Sequence, residues 1–425
     1  MKPLAEQPKR VAVVGGGVAG IVCADLLQHR YEVTLFERND YLGGHTHTIE
    51  IPDGPDAGLP VDTGFIVLND KTYPTFQAFL ARLGVDTRLS EMSFGFQCRQ
   101  SGQVYAGTSL NGLFARRRNL ASPLFYAFLF ELRRFCKQAR TDLITGEVPP
   151  VTLGEYLAVG RFSPFMIQNY LEPMAAAIWS TPTVQVTDFP AEPFLRFFEN
   201  HGLLSLRNRP QWQTVVGGSH AYVRSFRRRF KGRCHLGTPV REVKRETAGV
   251  RVVPSGGEAQ SFDRVVLATH ADQALCLITD ADSLERRLLA PWRYQKNHAV
   301  LHTDTSVLPR QRQAWAAWNF SREAEASGRP VFVTYYMNRL QGFSAQLNYC
   351  VTLNCDAPFQ RDTVIAEMDY HHPLYTNESM ATQSELPRLN GRNRTFFCGS
   401  YFGYGFHEDA VKAGVAAAEA LEGGP

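Results

Sequence analysis

Several patterns are missing from the sequence, and each absence excludes a class of protein. The eight cysteines form no C-x-x-C pair, so neither a zinc ribbon nor a dithiol redox motif is indicated. Such thiols are typical of a reduced, cytosolic protein. No stretch holds about 18 uninterrupted apolar residues, so we predict no transmembrane helix. With 44% hydrophobic and 20% charged residues among 425, the chain can bury a large core and is not intrinsically disordered.

The formal net charge of +4 hides an uneven distribution of charge. Residues 71–140 hold eleven basic and three acidic residues, a local charge of +8, and residues 196–245 hold twelve and two, a local charge of +10. In the first block, an aromatic-rich segment at 124–135 is flanked by arginine clusters, which favours contact with an anionic membrane surface. A buried helix in a basic protein is the alternative. Nucleic acid is not an expected partner, because no nucleic-acid fold motif accompanies the charge.

The start of the chain carries a dinucleotide-binding pattern. The apolar run Val11–Val14 predicts a strand buried on both faces, and a G-x-G-x-x-G motif follows it. In this motif Gly15 permits a tight turn, Gly17 lets the backbone approach a pyrophosphate, and Gly20 lets the following helix pack on the strand. A second predicted strand ends at Glu37, where a carboxylate can accept hydrogen bonds from ribose hydroxyls. We therefore predict a bound dinucleotide, with a methyltransferase nucleotide loop as the main alternative.

A second glycine motif follows Glu37 after a short spacer and consists of Gly43 and Gly44. This arrangement resembles the extended fingerprint of FAD-dependent amine oxidases, protoporphyrinogen oxidases and phytoene-type desaturases, in which the loop passes the FAD pyrophosphate. The family usually has arginine after the pair, whereas this chain has His45. The segment at 61–64 resembles the family's next element, an Asp-x-Gly near the flavin. The resemblance implies these cofactor contacts: Gly15, Gly17, Val18, Ala19, Gly20, Glu37, Arg38, Gly43, Gly44, His45, Asp62 and Gly64.

Later segments extend the resemblance to the rest of the chain. Residues 239–252 predict a hairpin, in which Val240 matches a position whose backbone meets adenine. Residues 396–414 resemble the family's C-terminal flavin motif, in which a helix N-terminus points at the isoalloxazine ring. The resemblance implies these further contacts: Val240, Gly399, Ser400, His407, Glu408 and Ala410. The neighbours of the family's flavin-linking cysteine are absent around Cys398, so the FAD is expected to be non-covalent.

The fold class that these segments imply is α/β, with two domains. One is a discontinuous, three-layer, Rossmann-like FAD-binding domain over 1–70, 208–275 and 390–425. The other is an α+β substrate domain over 71–207 and 276–389. Hydrophobic patterns predict its helices and strands, with helices at 74–83 and 123–140 and strands at 299–303, 331–337 and 348–354.

The sequence also indicates what reduces the flavin. No second nucleotide fingerprint follows the first, which favours a flavin reduced by its substrate and reoxidised by oxygen or another acceptor. Hydride abstraction from carbon needs no nucleophile, in agreement with the absence of a G-x-S-x-G motif. The histidines at 45, 47, 371 and 372 lack companion ligands at the usual spacing, so no metal site is predicted.

Aromatic side chains are the candidates for lining the substrate cavity: Trp318, Tyr335, Tyr336, Tyr401, Phe402, Tyr404 and Phe406. In the amine oxidases two aromatic residues sandwich the amine, and alignment with the family's Gly-Tyr-Met-Glu puts Phe406 at one of these positions. Lys296 resembles the lysine that orients water near the flavin in many relatives, and a solvated surface lysine is the alternative. The candidate catalytic residues are therefore Phe406, Tyr336 and Lys296.

A narrower resemblance suggests the substrate. Segments at 61–69, 335–341 and 371–373 look like bacterial FAD-dependent proteins associated with cyclopropane-fatty-acid synthases and other enzymes that modify fatty-acyl chains with methyl groups. The resemblance implies hydride abstraction from a hydrophobic lipid substrate, with desaturation of a methyl- or cyclopropane-modified acyl chain as the reaction. The alternatives are a flavin amine oxidase and an FAD-containing auxiliary subunit of a lipid-modifying enzyme. The expected location is cytoplasmic, at the inner face of the membrane.

Overall fold

The computed structural model describes residues 9–179, 186–205, 209–322, 332–355 and 359–423. Its strands are β1 Arg10–Val14, β2 Glu32–Phe36, β3 Thr48–Glu50, β4 Pro60–Asp62, β5 Val67–Asn69, β6 Thr87–Leu89, β7 Phe94–Cys98, β8 Gln103–Ala106, β9 Trp212–Val215, β10 Arg233–His235, β11 Val240–Arg245, β12 Val250–Pro254, β13 Gln260–Phe262, β14 Arg264–Leu267, β15 Tyr294–His302, β16 Trp318–Arg322, β17 Phe332–Tyr336, β18 Cys350–Leu353, β19 Val364–Pro373 and β20 Thr395–Phe397. Its helices are α1 Val18–Leu27, α2 Pro74–Leu83, α3 Leu110–Leu113, α4 Pro123–Thr145, α5 Leu153–Val159, α6 Pro164–Met166, α7 Glu172–Trp179, α8 Ala191–Asn200, α9 His220–Arg229, α10 Ala271–Leu277, α11 Ser283–Leu289, α12 Met337–Leu340, α13 Asn377–Gln383 and α14 His407–Gly423.

A five-stranded parallel sheet carries the predicted dinucleotide motif. Its strands lie in the order β10-β2-β1-β14-β20, and each neighbouring pair is parallel. Alternate side chains of β1 face two different layers, because side chains point to opposite sides of a strand in turn. Val11 and Val13 pack against helices α1, α2, α9 and α14, whereas Ala12 and Val14 pack against α10, α11 and the β11–β13 sheet. The predicted three-layer Rossmann-like arrangement is confirmed.

The turn from β1 into α1 depends on two of its glycines. Gly15 has a φ of +106°, a region that residues with a side chain rarely adopt. A Cβ on Gly20 would lie 2.0 Å from the carbonyl oxygen of Gly15. Helix α1 can therefore approach β1 this closely only with glycine at position 20, as the sequence motif predicts.

A seven-stranded mixed sheet forms the second large element. Its strands lie in the order β19-β15-β18-β17-β16-β7-β8, and the pairs are antiparallel except for β16 with β7. Helices α4, α5 and α8 contribute to the same core as this sheet. That core is rich in phenylalanine, including Phe96, Phe125, Phe128, Phe135, Phe194, Phe198 and Phe320. The predicted helices at 74–83 and 123–140 correspond to α2 and α4.

The strands of the two large sheets come from different stretches of the chain. All five parallel strands fall in 1–70, 208–275 and 390–425, and all seven strands of the mixed sheet fall in 71–207 and 276–389. Helices α2 and α11 come from the second set of ranges but pack in the layers of the parallel sheet. The boundaries of the two domains stay a prediction.

Helix α4 has 23 residues and is the longest helix in the described part of the chain. It begins after Ser122, whose side chain accepts a hydrogen bond from the backbone N–H of Phe125. It ends at Gly146, which has a left-handed φ of +71°. Across the described ranges, no helix combines the length and the hydropathy that a bilayer crossing requires.

Candidate active site

A cavity of about 1000 Å³ runs from the β1–α1 turn to the seven-stranded sheet. Most of the predicted cofactor-binding residues line it: Gly15, Gly17, Val18, Ala19, Glu37, Arg38, Gly43, Gly44, His45, Gly64, Val240, Gly399, Ser400, His407 and Ala410. These residues come from five separate stretches of the chain, and the fold brings them to one surface. The cavity is therefore the candidate site for the dinucleotide.

Gly17 shows what the nucleotide end of the cavity is shaped to hold. Its φ of −71° and ψ of 176° are open to any amino acid. A Cβ on this residue would meet no protein atom within 4 Å. Neither the backbone conformation nor the packing of the protein requires glycine here. A ligand that approaches the N-terminus of α1 closely does require it, and a pyrophosphate is the group that helix N-termini bind.

The turn at Gly43 closes the other side of this end of the cavity. The backbone N–H of Gly43 donates to the carbonyl of Gly16 at 2.8 Å, and Gly43 forms a parallel bridge with Gly17. The two glycine motifs therefore pack against each other by backbone alone. The turn also places His45 in the cavity wall, where its Nε2 is buried and has no hydrogen-bond partner among the described residues. A buried polar atom without a partner is costly, so this atom is expected to meet a bound group.

Glu37 is held in place by two backbone donors. Its Oε2 accepts from the N–H of Gly16 at 2.6 Å and its Oε1 accepts from the N–H of Asn39 at 2.9 Å. Each carboxylate oxygen keeps further acceptor capacity for a ribose hydroxyl. Val240 lines the same end of the cavity, as the resemblance implied for the adenine position. The residues present therefore fit the adenosine diphosphate half of FAD.

The N-terminus of α14 forms another wall of the cavity. His407, its first residue, stacks on Phe65 with ring centroids 3.7 Å apart. Its Nε2 lies 3.1 Å from the hydroxyl of Tyr222, which in turn lies 2.6 Å from the Oγ1 of Thr46. Burial, and then the nearby His45, lower the pKa of His407 to about 3, so the imidazole is neutral at pH 7. The helix thus presents its positive dipole end and free N–H groups to the cavity without a charged side chain.

Three of the predicted cofactor contacts do not line the cavity, and each has another role. Gly20 packs against Gly15, as described above. The carboxylate of Asp62 accepts from both the N–H and the Oγ of Ser219, at 2.8 Å in each case, and burial raises its pKa to about 6. The carboxylate of Glu408 accepts from two backbone N–H groups in the first turn of α2, at 3.0 and 2.8 Å. These groups hold the elements around the cavity together rather than forming its surface.

A cluster of histidines lies where the parallel sheet meets β19. The ring of His45 lies 5.1 Å from that of His372 and 6.4 Å from that of His270, and His270 lies 6.3 Å from His371. Burial lowers the pKa of His45 to about 4 and those of His270 and His372 to about 3. Within the described residues, no group of three or more histidine, cysteine or acidic side chains could hold a metal ion. His45, His270 and His372 are therefore neutral imidazoles in the cavity wall.

The other end of the cavity, which we call the substrate lobe, is apolar. Its lining includes Met92, Phe94, Leu113, Phe128, Leu129, Leu132, Met174, Ile178, Phe197, Leu203, Trp212, Trp318, Tyr335 and Leu340. Arg209 is the charged residue among the lining residues of this lobe, and its Nε donates to the carbonyl of Ser205 at 2.8 Å. Among the described residues, only two carboxylates line the cavity, those of Glu37 and Asp369. Asp369 is paired with Lys296 at 2.8 Å.

Phe406 lies in the cavity wall, and the structure supplies the aromatic neighbours that the sequence did not locate. Its ring stacks on Phe197 at a centroid distance of 4.7 Å and lies 5.5 Å from the ring of His201. The Nδ1 of His201 lies 2.9 Å from the carbonyl oxygen of Phe197. Since a carbonyl can only accept, Nδ1 carries the proton and Nε2 keeps its lone pair. The pKa of His201 is lowered to about 4 by burial, so this imidazole is also neutral at pH 7.

The other two candidate catalytic residues are not brought to the cavity. Tyr335 lines it, whereas Tyr336 points to the opposite face of β17 and donates to Asn348 at 2.8 Å. Lys296 has a side chain that is 61% exposed and lies in an ion pair with Asp369. Neither Tyr336 nor Lys296 is among the described residues that line the cavity, and their catalytic roles stay a prediction. The sequence did not indicate His270 or His372 as cofactor contacts. A signal existed for His270, because it directly follows a predicted parallel strand, and ligands bind at the carboxyl ends of such strands.

The fold and the lined cavity define a flavin-type oxidoreductase, and comparisons with known proteins agree. A family model described as flavin containing amine oxidoreductase matches residues 18–347. The AofH protein of Mycobacterium tuberculosis, whose name assigns it to the flavin-containing monoamine oxidases, is 28% identical over 346 residues, which cover 76% of this chain and 70% of that protein. The chain belongs to the flavin containing amine oxidoreductase family, and it is an FAD-binding oxidoreductase.

Two solved structures show the same fold at low sequence identity. A CLA-producing fatty acid isomerase from P. acnes superposes with a TM-score of 0.66 and 16% identity, covering 97% of this chain and 98% of that chain. A cyclohexylamine oxidase from Brevibacterium oxydans superposes with a TM-score of 0.70 and 16% identity, with the same coverage of 97% and 98%. The predicted fold class is therefore confirmed, and the match to the family model confirms the predicted superfamily.

Proposed function

We propose that the protein desaturates a fatty-acyl chain, one modified by a methyl or cyclopropane group. Two C–H bonds on neighbouring carbons break and a C=C bond forms, as a hydride leaves one carbon and a proton leaves the other. Bound FAD supplies the acceptor for the hydride and its two electrons. Oxygen or another acceptor then removes those electrons from the protein.

The apolar composition of the substrate lobe is the observation that carries this proposal. An acyl chain needs a long apolar surface and no hydrogen bonds, and the lobe offers leucine, methionine, isoleucine and phenylalanine side chains. An amine that binds as a cation favours a carboxylate or an open aromatic face. The lining carboxylates are Glu37, at the nucleotide end, and Asp369, which already pairs with Lys296. The charges of the described lining therefore favour a neutral or anionic substrate.

Arg209 supports an acidic head group on that substrate. It lies at the surface among residues that line the lobe, and its guanidinium keeps donors free after the hydrogen bond to Ser205. A carboxylate or phosphate at the mouth would pair with this guanidinium while the chain lies in the apolar lobe.

His201 is the residue that we propose takes the proton. Its Nε2 keeps a lone pair because its Nδ1 donates to the Phe197 carbonyl. It lies beside Phe406, the residue that matches the family's substrate-contact position. The rings of Phe197, Phe406 and Trp212 lie beside the imidazole. The chain thus provides a base in an otherwise apolar lobe.

We also propose that the substrate enters from an anionic membrane surface at the inner face of the membrane, with the protein peripheral to it in the cytoplasm. Four apolar side chains of α3, α4 and the turn between them are more than half exposed: Leu110 at 77%, Leu120 at 51%, Leu124 at 56% and Phe130 at 72%. We call these four residues the apolar patch. Arg117, Arg118 and Arg133 are near them in the sequence and are exposed, and Glu131 is the lone acidic residue between 92 and 141. Exposed apolar groups with flanking arginines fit an anionic lipid surface.

The three consecutive arginines of the second basic block, at 227–229, lie on a helix that packs with other elements. Helix α9, which carries Arg227, Arg228 and Arg229, packs with α1 and α2 around the parallel sheet. Helix α4 instead packs with α6 and α8. The membrane proposal therefore rests on the first block alone.

An amine oxidase is the second candidate function, favoured by the family match and by the stacked pair of Phe197 and Phe406. The fold does not distinguish an acyl substrate from an amine substrate, since it occurs in both a fatty acid isomerase and a cyclohexylamine oxidase. An auxiliary subunit of a lipid-modifying enzyme is the third. We propose that the FAD is non-covalent in each case, because Cys398 is buried and does not line the cavity.

Anaerobic stopped-flow measurement of flavin bleaching tests these functions. We expect methyl- or cyclopropane-modified acyl lipids to bleach the flavin and to yield a product two mass units lighter. Bleaching by small amines but not by acyl lipids would overturn the acyl proposal. Absence of bleaching by any substrate without a partner enzyme would favour the auxiliary subunit.

A further inference from the structure

A series of hydrogen-bonded side chains determines which ring nitrogen of His372 carries the proton. We infer that the Nε2–H of His372 donates to an acceptor atom on the isoalloxazine ring of bound FAD, and that Asn354 and Asn297 hold it in that form. The inference rests on FAD binding and not on the acyl substrate proposed above. Its residues belong to β15, to β19 and to the position directly after β18, away from the predicted nucleotide and flavin motifs.

The chain of hydrogen bonds starts at the backbone, so its direction is unambiguous. The N–H of His298 donates to Oδ1 of Asn354 at 3.0 Å. Nδ2 of Asn354 therefore faces Asn297 and donates to its Oδ1 at 2.7 Å. Nδ2 of Asn297 in turn faces Nδ1 of His372 at 2.8 Å. Because a backbone N–H can only donate, each amide in the series has only one orientation that satisfies its neighbours.

A second backbone contact fixes Asn297 independently. Its Nδ2 also lies 3.4 Å from the carbonyl oxygen of Gln295, which can only accept. Asn297 is fully buried, so its amide cannot turn toward water. Asn354 is equally restrained, since its backbone N–H donates to the His298 carbonyl at 2.8 Å with a left-handed φ of +55°. Asparagine tolerates that conformation better than most residues. We call this series, from the His298 N–H through Asn354 and Asn297 to His372, the relay. Its backbone contacts hold both asparagines in one orientation.

The relay determines the position of the proton on the imidazole ring of His372. Its Nδ1 accepts from Asn297, so the proton of the neutral imidazole sits on Nε2. Burial, and then three neighbouring histidines, keep the ring neutral by lowering its pKa to about 3. No described residue accepts a hydrogen bond from Nε2, although His372 lines the cavity. A donor with no protein acceptor faces the space that the cofactor fills.

The surroundings identify the isoalloxazine as the acceptor. The ring of His372 lies 5.1 Å from that of His45, which follows the glycines that close the nucleotide end. The buried and unpaired Nε2 of His45 also calls for a bound polar partner. Gly399 and Ser400, from the flavin-motif segment, line the same cavity. The isoalloxazine carries acceptor nitrogens and oxygens along its edge, whereas the hydrocarbon part of an acyl chain offers none.

A donor at this position stabilises reduced flavin more than oxidised flavin, because the ring gains electron density on reduction. We expect His372→Phe to shift the midpoint potential of bound FAD to more negative values. A tenfold change in the equilibrium between the two forms would be about 30 mV for this two-electron couple. His372→Gln, which keeps an N–H donor, should retain most of the wild-type potential, and Asn297→Leu should shift it in the same direction as His372→Phe.

The test is a potential titration of each purified holoprotein against a reference dye, with the flavin spectrum and thermal unfolding recorded in parallel. His302→Phe is the matched control, since His302 is a fully buried histidine on β15 that pairs with Thr352 at 2.7 Å and does not line the cavity. An unchanged potential in FAD-loaded His372→Phe overturns the inference. A shift there without one in Asn297→Leu overturns the relay. If His372→Phe fails to hold FAD, the potentials of the Gln and Leu variants decide.

Discussion

Gly17 and Gly43 form a parallel backbone bridge, although 26 positions separate them in the printed sequence. Neither residue contributes a side chain, so the closest contact between the two glycine motifs is made by main chain. A Cβ on Gly17 would project into the cavity, whereas one on Gly43 would lie 2.4 Å from the carbonyl oxygen of Thr46. The two glycines are therefore required for different reasons, one by the ligand and the other by the fold.

We expect Gly17→Val to fold normally and to lose bound FAD. Its backbone angles suit valine and no protein atom lies within 4 Å of the new Cβ, but the branched group occupies the approach of the pyrophosphate. The measurement is the flavin absorbance of the purified protein, together with its far-UV circular dichroism. Gly423→Val is the matched control, because a Cβ there also meets no atom within 4 Å and lies far along α14 from the cavity. Yellow holoprotein from the Gly17 variant would contradict the prediction.

We expect His201→Phe to slow flavin reduction by the acyl substrate about 100-fold, the lower end of what a positioned base contributes. Phenylalanine keeps the stacking on Phe197 and Phe406 but removes the lone pair of Nε2. The measurement is the anaerobic bleaching rate with saturating substrate. FAD content and the flavin potential should not change, because His201 lies in the substrate lobe. An unaltered bleaching rate would remove His201 from the mechanism.

We expect Leu124→Ser combined with Phe130→Ser to weaken binding to vesicles that contain anionic lipid. Each change removes an exposed apolar side chain of the apolar patch, and binding energy scales with buried apolar area. Sedimentation with phosphatidylglycerol vesicles, at low and high salt, measures the effect. Leu89→Ser is the control, since Leu89 is 68% exposed on β6, outside the patch. Equal vesicle binding by the wild type, the double variant and the control would refute the docking surface.

We expect the apoprotein to lose stability as the pH falls from about 6.5 to about 4. Six buried histidines have a pKa of about 3 or 4 in the folded state against 6.5 in the unfolded state, so the unfolded chain binds more protons in this range: His45, His201, His270, His302, His372 and His407. Asp62 and Asp409 act in the opposite sense, because burial raises both pKa values to about 6. The histidines outnumber them. Urea unfolding at several pH values checks this, and a stability that rises toward pH 4 would contradict it.

The nucleotide end of the molecule could be predicted from local patterns, because a βαβ unit and its glycines lie within one short stretch of sequence. The strand predicted at 32–36 is β2, and the hairpin at 239–252 is β11 with β12. The substrate lobe could not be predicted in this way. Phe197 and Phe406 meet across 209 positions of the sequence, and nothing in either local pattern signals the contact.

The position of Tyr336 outside the cavity lining has a physical origin. It lies on a strand of the mixed sheet, where a shift of one residue moves a side chain to the other face. Tyr335 faces the cavity and Tyr336 does not, although the two are indistinguishable by composition. The relay through Asn297 was equally invisible, because it depends on register between β15 and β19, with Gln295 opposite His372.

Helix α4 separates the interior of the protein from its exterior by the width of one helix. Phe128, Leu129 and Leu132 line the substrate lobe, while Leu124 and Phe130 on the same helix face outward. An α-helix with its side chains is about 10 Å across. If a bilayer lies against the outer side, as we propose, the width of this one helix separates it from the substrate lobe.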